Sequence, residues 1–325
     1  MMRRRIGNSE LTVAPLAFGC NVFGWTADEV TSFRLLDAFV DAGLNLIDTA
    51  DVYPAWHPGT AGGESETIIG RWLKRSGNRD KVVVATKVGM RMSRSLGLES
   101  LSKKYIHKAV EDSLKRLQID TIDLYQSHID DPGTPLEETL EAFGDLIAQG
   151  KVRTIGASNY KVGRLIEALN ISRTNGLPRY ESLQPEYNLY DREDYESNFE
   201  KFCVQEGLGV ITYFSLARGF LSGKYRSTED LGQSPRGEGV KKYLNGRGFR
   251  IIDALHTVAA QLKGHPAQVA LAWLMARPSV TAPIASATTL EQLNDLIEAT
   301  KISLDPSAVK VLNEASDYET VSAPA

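Results

Sequence analysis

Residues 121–156, TIDLYQSHIDDPGTPLEETLEAFGDLIAQGKVRTIG, contain two predicted strands separated by a helical pattern. The strands are residues 121–128 and 151–156. Between them the apolar residues recur at the spacing of one helical face: Leu136, Leu140, Phe143 and Ile147. Residues 134–137 predict a capping box with proline at the first helical position. A strand, a helix and a strand in this order predict parallel pairing.

The same alternation recurs along the chain. The other predicted strands are residues 15–18, 44–48, 81–87, 180–184, 208–214 and 279–285. The other predicted helices are about residues 27–42, 64–76, 102–117, 161–173, 194–206, 250–263 and 290–299. Eight such units predict an α/β fold, a single (β/α)8 TIM barrel that forms one domain over residues 1–325. A doubly wound sheet is the competing architecture, but residues 19–24, GCNVFG, do not fit its Gly-x-Gly-x-x-Gly turn.

Two segments stand outside this alternation. Residues 4–6 and 11–13 are separated by a turn cluster and predict an N-terminal β-hairpin, which could plug the bottom of the barrel. Residues 222–248 are polar, contain six glycines and form a predicted long loop after strand 7. Such a loop is usually a lid or a binding loop, and disorder is the alternative.

Composition and charge exclude several classes of protein. The 37 Lys and Arg residues against 41 Asp and Glu residues leave a net charge of −4, so no nucleic-acid partner is expected. Two cysteines, Cys20 and Cys203, suit a reducing compartment. The longest apolar run, residues 269–276, is far shorter than the roughly 20 residues of a membrane span. Residues 1–10 lack the apolar core of a signal peptide, so we expect a cytoplasmic protein without a membrane partner.

Four polar residues follow consecutive predicted strands, where barrel enzymes place their active sites. Asp48, Lys87 and His128 end the second, third and fourth strands, and Tyr53 lies five residues after Asp48. Each alone also fits a structural role. Together they suit a general acid: Lys87 would lower the pKa of Tyr53, Asp48 would keep Lys87 charged, and His128 would hydrogen-bond a substrate oxygen. This chemistry suits protonation of the alkoxide that forms when a carbonyl carbon accepts hydride.

The same residues lie in motifs that closely resemble those of the aldo-keto reductases. The motifs are residues 43–53 (GLNLIDTADVY), 85–89 (ATKVG), 125–128 (YQSH), 156–159 (GASN), 184–188 (QPEYN) and 216–225 (LARGFLSGKY). The resemblance runs from about residue 4 to residue 300. It implies one barrel that binds a nicotinamide dinucleotide, mostly NADP(H), without a Rossmann domain. It also implies a catalytic tetrad of Asp48, Tyr53, Lys87 and His128, with Tyr53 as the acid in carbonyl reduction.

The resemblance further implies which residues bind the cofactor. Ser158, Asn159 and Gln184 would hold the nicotinamide carboxamide, and Tyr213 would stack on the ring. The residues implied at the pyrophosphate are Ser215, Leu216, Arg218, Gly219 and Lys224. Those implied elsewhere along the cofactor, including its adenosine end, are Cys20, Asn21, Asp48, Arg226, Ser286, Thr288 and Gln292.

Residue 288 departs from the family pattern. Many members have a basic residue there that binds the 2′-phosphate, whereas this chain has Thr288. Three arginines of the long loop could replace it: Arg226, Arg236 and Arg247. NADP(H) is therefore the favoured cofactor, and NAD(H) remains open.

The substrate pocket is expected on the loops after the first two strands. Trp25, Trp56 and His57 could wall a pocket for a small-molecule carbonyl or alcohol that also contacts Tyr53 and His128. Asp51 is expected to structure its loop. No ligand spacing supports a metal site.

Two functions from different classes follow. The first is an enzyme that reduces aldehydes and ketones to alcohols, reversibly. The second is a redox-sensing regulatory subunit that binds the cofactor and turns it over slowly. Residues 315–325 make only a short tail, which favours the enzyme. Sugars, xenobiotic aldehydes and ketosteroid-like ketones all fit as substrates, and the oligomeric state is left open.

Overall fold

Eight parallel strands close into a barrel. The structure, a computed structural model, describes residues 2–90 and 101–318. An antiparallel hairpin of β1 (Arg4–Arg5) and β2 (Thr12–Val13) precedes the barrel. The barrel strands are β3 (Ala17–Gly19), β4 (Leu46–Asp48), β5 (Val83–Val88), β6 (Ile122–Ser127), β7 (Val152–Ser158), β8 (Ser182–Gln184), β9 (Gly209–Thr212) and β10 (Ala282–Ala285). Because β10 pairs with both β9 and β3, the sheet is closed, which confirms the predicted barrel and hairpin.

The helices surround the barrel. They are α1 (Glu29–Asp41), α2 (Glu64–Ser76), α3 (Lys103–Leu117), α4 (Leu136–Ala148), α5 (Val162–Asn175), α6 (Glu200–Glu206), α7 (Gly246–Leu262), α8 (Pro266–Ala276), α9 (Leu290–Ala299) and α10 (Pro306–Ala315). None of them, within the described residues, has the length and apolar character that crossing a membrane requires.

Two of these helices were not predicted from the sequence. In α8 every residue from Gln268 to Met275 is buried, so its apolar residues form a continuous run without helical periodicity. Helix α10 lies beyond the eight repeating units and packs against α7. Both therefore escaped a search for amphipathic helices between strands.

The start of α4 differs from the prediction. The helix begins at Leu136, and Pro135 occupies the N-cap without a side-chain hydrogen bond. The Thr134 hydroxyl instead donates to the carboxylate of Asp131 at 2.8 Å. The predicted capping box is wrong because the helix begins one residue later, which leaves Pro135, without a side-chain acceptor, at the N-cap.

The polar segment after β9 is folded into helical turns. Three short 3-10 segments follow β9: Ala217–Ser222, Thr228–Gln233 and Gly237–Tyr243. Helix α7 then begins at Gly246, four residues before the predicted start. The segment is held to the loop after β8, because Lys242 forms an ion pair with Asp191 at 3.1 Å and the Tyr243 hydroxyl donates to Asp191 at 2.8 Å.

The hairpin closes the amino-terminal end of the barrel. Ile6, Leu11 and Val13 are buried in one cluster with inward-facing strand residues: Ala17, Leu46, Val83, Ala85, Leu124, Ile211, Ala282 and Ile284. The approach is close, since a Cβ added at Gly209 would lie 2.8 Å from the backbone nitrogen of Gly7. The opposite end of the barrel is therefore the end at which a ligand can enter.

A matched pair of valine substitutions tests the hairpin's contribution to stability. Val13, in strand β2 of the hairpin, is 0% exposed, whereas Val30, in helix α1, is 69% exposed. We expect Val13→Ala to lower the free energy of unfolding by about 2 kcal/mol, since it removes two buried methyl groups and leaves a cavity. Val30→Ala should change it by less than about 0.5 kcal/mol. Urea denaturation measures both, and equal midpoints would contradict a packed hairpin.

Candidate active site

The four polar residues predicted at the strand ends meet at the open end of the barrel. Asp48 is the last residue of β4, Lys87 lies one residue before the end of β5, and His128 directly follows β6. The parallel register pairs Asp48 with Ala85 and therefore sets Asp48 beside β5. Tyr53 reaches the same place from the loop after β4.

The Lys87 ammonium is the centre of this group. Its Nζ lies 2.7 Å from Asp48 Oδ1, 2.7 Å from the Thr49 carbonyl oxygen and 3.3 Å from Tyr53 Oη. These three acceptors match the three protons that an ammonium can donate. The other carboxylate oxygen of Asp48 accepts from Gln184 Nε2 at 2.9 Å, so both ends of the ion pair are fixed in place.

Lys87 keeps its charge although its side chain is fully buried. Burial alone would lower the pKa of the ammonium, but the charge of Asp48 and the contact with Tyr53 raise it above its ordinary value. A permanent positive charge therefore lies next to the Tyr53 hydroxyl.

The pKa of Tyr53 depends on two opposing effects. Burial raises the pKa of the phenol because it removes water from the phenolate, while Lys87 lowers it by favouring the phenolate, as predicted. Burial is the larger effect, so the pKa lies above its ordinary value. The phenol is protonated at neutral pH and is stabilised as a phenolate once its proton has left.

His128 lies beside Tyr53 as a neutral ring. The two rings are in edge-to-face contact with centroids 5.7 Å apart. Burial, with the Lys87 charge, holds the pKa of His128 well below its usual range. Its buried Nδ1 has no hydrogen-bond partner among the described residues. The imidazole is thus suited to hydrogen bonding in the site and does not carry a charge.

The residues implied for the nicotinamide carboxamide adjoin this group. Asn159 Nδ2 donates to Ser158 Oγ at 3.1 Å and to the His128 carbonyl at 2.9 Å. Tyr213 Oη donates to Asn159 Oδ1 at 2.8 Å. Ser158 Oγ donates to the Gln184 carbonyl at 2.9 Å. The structure therefore brings these four residues together, and a single polar network joins them to the tetrad.

The turn implied for the pyrophosphate has an unusual backbone. Phe214, Ala217, Arg218 and Gly219 all have positive φ angles, between 47° and 100°. Ser215 is buried, and its hydroxyl donates to the Thr212 carbonyl at 3.0 Å. With Leu216 at its centre, this turn joins β9 to the first 3-10 segment.

Two basic side chains of this region have no counter-charge among the described residues. The Arg218 guanidinium lies 4.0 Å from the Phe214 ring centroid, and Lys224 Nζ lies 5.1 Å from that of Tyr225. Neither forms an ion pair with any residue that the structure describes. Free positive charge at a loop of this kind is what phosphate groups bind.

The residues implied for the adenosine end form a separate group near the start of α9. Ser286 Oγ donates to Asn21 Oδ1 at 2.8 Å. The Thr288 backbone nitrogen donates to Gln292 Oε1 at 2.9 Å. The N-terminus of α9 follows directly, and such an end attracts phosphate through its free N–H groups.

Cys20 directly follows β3 at this end of the barrel. It is fully buried, its thiol contacts the Phe18 carbonyl at 3.5 Å, and its backbone nitrogen donates to the Asp48 carbonyl at 2.8 Å. Its carbonyl oxygen accepts from Ser65 Oγ at 2.9 Å. The polar atoms of Cys20 are thus bound within the protein.

The three candidate arginines for a 2′-phosphate differ in their partners. Arg226 forms an ion pair with Asp253 at 2.9 Å. Arg247 donates to the carbonyls of Ser316 and Asp317 at 2.7 and 3.1 Å. Only Arg236, of the three, lacks an ion pair or a side-chain hydrogen bond within the described part of the chain.

An aromatic wall borders the tetrad. It consists of Trp25, Tyr53 and Trp56, with ring centroids 5.8 Å apart for Trp25 and Trp56 and 5.4 Å apart for Tyr53 and Trp56. His57 lies behind it, 6.3 Å from Trp25. Trp56 is 48% exposed, so the wall offers an apolar face to an entering molecule.

Some contributions to the site were missed at the level of sequence. The Thr49 carbonyl holds Lys87, and no residue pattern reveals a contact made by a main-chain oxygen. Asp51 was expected to structure its loop, yet neither of its buried carboxylate oxygens has a hydrogen-bond partner among the described residues. Burial and then the charge of Glu66 raise the pKa of Asp51 well above its ordinary value.

Within residues 2–90 and 101–318, no group of three or more His, Cys, Asp or Glu residues is placed to hold a metal ion.

Comparison with known proteins agrees with this geometry. The Aldo/keto reductase family model matches residues 15–317. The chain is 36% identical to "Uncharacterized oxidoreductase YrpG" of Bacillus subtilis (strain 168), over 95% of this chain and 94% of that protein. It is 32% identical to "Aryl-alcohol dehydrogenase [NADP(+)]" of Phanerodontia chrysosporium, over 95% of this chain and 84% of that protein. It is also 33% identical to "Probable voltage-gated potassium channel subunit beta" of Oryza sativa subsp. japonica, over 92% of this chain and 91% of that protein.

The closed (β/α)8 barrel carries a buried Asp48–Lys87 ion pair, which contacts the Tyr53 hydroxyl, at its open end. This combination defines the class of protein as a barrel oxidoreductase. The chain belongs to the Aldo/keto reductase family and is an NAD(P)H-dependent reductase.

Proposed function

We propose that this protein reduces aldehydes and ketones to alcohols, reversibly, with NADP(H) as the favoured cofactor. The observation that carries the proposal is the Lys87 ammonium, which contacts both Asp48 and the Tyr53 hydroxyl. That contact gives the phenol a fixed cationic neighbour, as a proton donor to a developing alkoxide requires. We also propose a cytoplasmic location, supported by two cysteines that are both free.

The residues present fit a nicotinamide dinucleotide. Ser158, Asn159 and Gln184 offer amide and hydroxyl groups to the carboxamide, and Tyr213 offers a ring beside them. Arg218 and Lys224, which form no ion pair within the described residues, offer positive charge to the pyrophosphate. The set that would hold the cofactor is completed by Asn21, Ser215, Leu216, Gly219, Ser286, Thr288 and Gln292.

Tyr53 would act as the general acid. When bound, the cofactor supplies hydride to the carbonyl carbon. The Tyr53 hydroxyl donates its proton to the carbonyl oxygen, so that one hydride and one proton convert the carbonyl to an alcohol. Lys87 stabilises the phenolate that remains, and Asp48 keeps Lys87 charged. Neutral His128 orients the carbonyl oxygen toward Tyr53, which fits its edge-to-face contact with that ring.

The cofactor preference rests on the adenosine end. Thr288, Gln292 and the N-terminus of α9 would bind a 2′-phosphate through hydrogen bonds. Arg226 and Arg247 form contacts within the protein, so each would exchange a partner to bind the phosphate. The relative from Phanerodontia chrysosporium carries NADP(+) in its name, which supports the same preference.

The second candidate function is a regulatory subunit that binds the cofactor and turns it over slowly. The rice relative, named as a probable channel subunit, keeps this candidate open. The complete and ordered tetrad favours the enzyme. Fast multiple turnover with a small aldehyde would exclude the regulatory function.

Substitution of the phenol is the direct test of the proposed acid. We expect Tyr53→Phe to lower the turnover of 4-nitrobenzaldehyde by at least about 100-fold, because it removes only the proton that the alkoxide needs. Steady-state rates with NADPH measure this effect. Cofactor affinity, measured by quenching of protein fluorescence, should stay within about twofold as the control. Comparable turnover in the variant would refute the assignment.

Paired titrations test the cofactor preference. We expect NADPH to bind more tightly than NADH by about tenfold, the value of one good hydrogen-bonded phosphate contact. Fluorescence quenching gives both dissociation constants. Thr288→Val should remove part of this difference and leave NADH binding unchanged. Equal affinities in the wild-type protein would contradict a 2′-phosphate site.

A further inference from the structure

Glu66 is a fully buried carboxylate that ties three elements together beside the strand that carries Lys87. It lies in the first turn of α2 and is 0% exposed. Its Oε1 accepts from Thr86 Oγ1 of β5 at 2.6 Å. Its Oε2 accepts from Arg116 Nε of α3 at 2.7 Å and from Ser113 Oγ at 3.3 Å. Both carboxylate oxygens therefore have partners, and the charge of Glu66 is paired.

One of these contacts fixes the backbone from which Lys87 extends. Thr86 directly precedes Lys87 in β5, and both side chains are fully buried. Because successive side chains of a strand point to opposite faces, Thr86 faces α2 while Lys87 points toward the active site. A displacement of Thr86 would move Lys87 with it, since the two residues share one rigid peptide unit.

The other end of this connection is the backbone of Tyr53. The backbone nitrogens of Gly63 and Ser65, at the start of α2, donate to the Tyr53 carbonyl oxygen at 3.1 and 3.3 Å. Arg116 packs closely on the same turn, since a Cβ added at Gly63 would lie 2.6 Å from Arg116 Cδ. Glu66 therefore joins the backbone that carries the phenol to the strand that carries the ammonium.

Asp51 does not supply this connection through its side chain. It is as deeply buried as Glu66, yet neither of its carboxylate oxygens has a hydrogen-bond partner among the described residues. Its backbone nitrogen donates to the Lys87 carbonyl oxygen at 3.2 Å, a contact that holds the loop two residues before Tyr53. Of these two buried carboxylates, Glu66 is the one that holds Arg116, so the side-chain connection depends on Glu66.

We propose that Glu66 is a positioning residue for carbonyl reduction: through Thr86 and the start of α2, it keeps the Lys87 ammonium and the Tyr53 hydroxyl in contact. This inference rests on the proposed function, because it assigns a residue that acts on the same acid. The contact between Lys87 Nζ and Tyr53 Oη is 3.3 Å, at the long limit of a hydrogen bond. Any further separation would weaken the stabilisation of the phenolate and slow the reaction.

Removal of one hydroxyl tests this connection. Thr86→Val keeps the shape of the side chain and removes its hydrogen bond to Glu66. We expect the single-turnover rate of NADPH oxidation by 4-nitrobenzaldehyde to fall by about tenfold, because Lys87 and Tyr53 lose their fixed contact. The dissociation constant of NADPH and the KM of the aldehyde should stay within about twofold, since Thr86 faces away from the active site. Thr86→Ser keeps the hydroxyl and should retain the rate to within about threefold.

Two glutamate variants complete the experiment. Glu66→Gln should slow the single turnover in the same way, because one amide oxygen replaces two carboxylate oxygens, and it carries the test if Thr86→Val does not fold. Glu200→Gln is the matched control. Glu200, on α6, has the same kinds of partner, Arg277 at 2.9 Å and Ser279 at 2.8 Å, and its substitution should leave the rate unchanged. Urea denaturation of every variant separates lost stability from lost rate.

The outcomes distinguish the inference from the proposed function. A wild-type single-turnover rate in Thr86→Val would overturn the inference, even if that variant were less stable, and would leave the proposed function intact. Equal losses of rate in Thr86→Val and Thr86→Ser would also overturn it, because the hydroxyl would then not be responsible. If the wild-type protein oxidised no NADPH in the presence of the aldehyde, the proposed function itself would fail, and the inference with it.

Discussion

The ion pair between Lys87 and Asp48 is the constraint on which the active site depends. Both side chains are almost fully buried, so each charge would be costly without the other. Adjacent parallel strands bring them together, since Asp48 ends β4 and Lys87 lies near the end of β5. The remaining contacts of Lys87 fix the Tyr53 hydroxyl at the same point. Removal of either partner would leave the other buried and uncompensated.

The barrel separates stability from function along its axis. At the amino-terminal end the hairpin fills the interior with Ile6, Leu11 and Val13, which pack on apolar residues of the strands. At the other end the loops contribute polar groups in a definite order. Tyr53 and His128 adjoin the aromatic wall, Asn159 and Tyr213 lie next to them, and Arg218 and Lys224 lie on the segment after β9. We propose that this order corresponds to a carbonyl, a nicotinamide and then phosphates.

The sequence predicted the parts of the protein that depend on local patterns. The strands and the tetrad followed from apolar runs and from the polar residues that end them. Helix α8 was missed because it is buried on nearly all sides and shows no amphipathic period. Thr134 failed as a cap because the helix begins one residue later and places Pro135 at the N-cap. The sign of the Tyr53 pKa shift also depends on burial, which no motif encodes.

The pH dependence of carbonyl reduction tests the central claim most directly. The proposed reduction needs Tyr53 protonated, and burial raises the pKa of Tyr53 above its ordinary value of about 10. The pKa of His128 lies well below its ordinary value, so the ring stays neutral. The account predicts that kcat/KM is constant from about pH 6.5 to about pH 9 and falls only as the pH rises through the pKa of Tyr53. A limb with an apparent pKa near about 6.5 would contradict it, because an imidazole would then supply the proton.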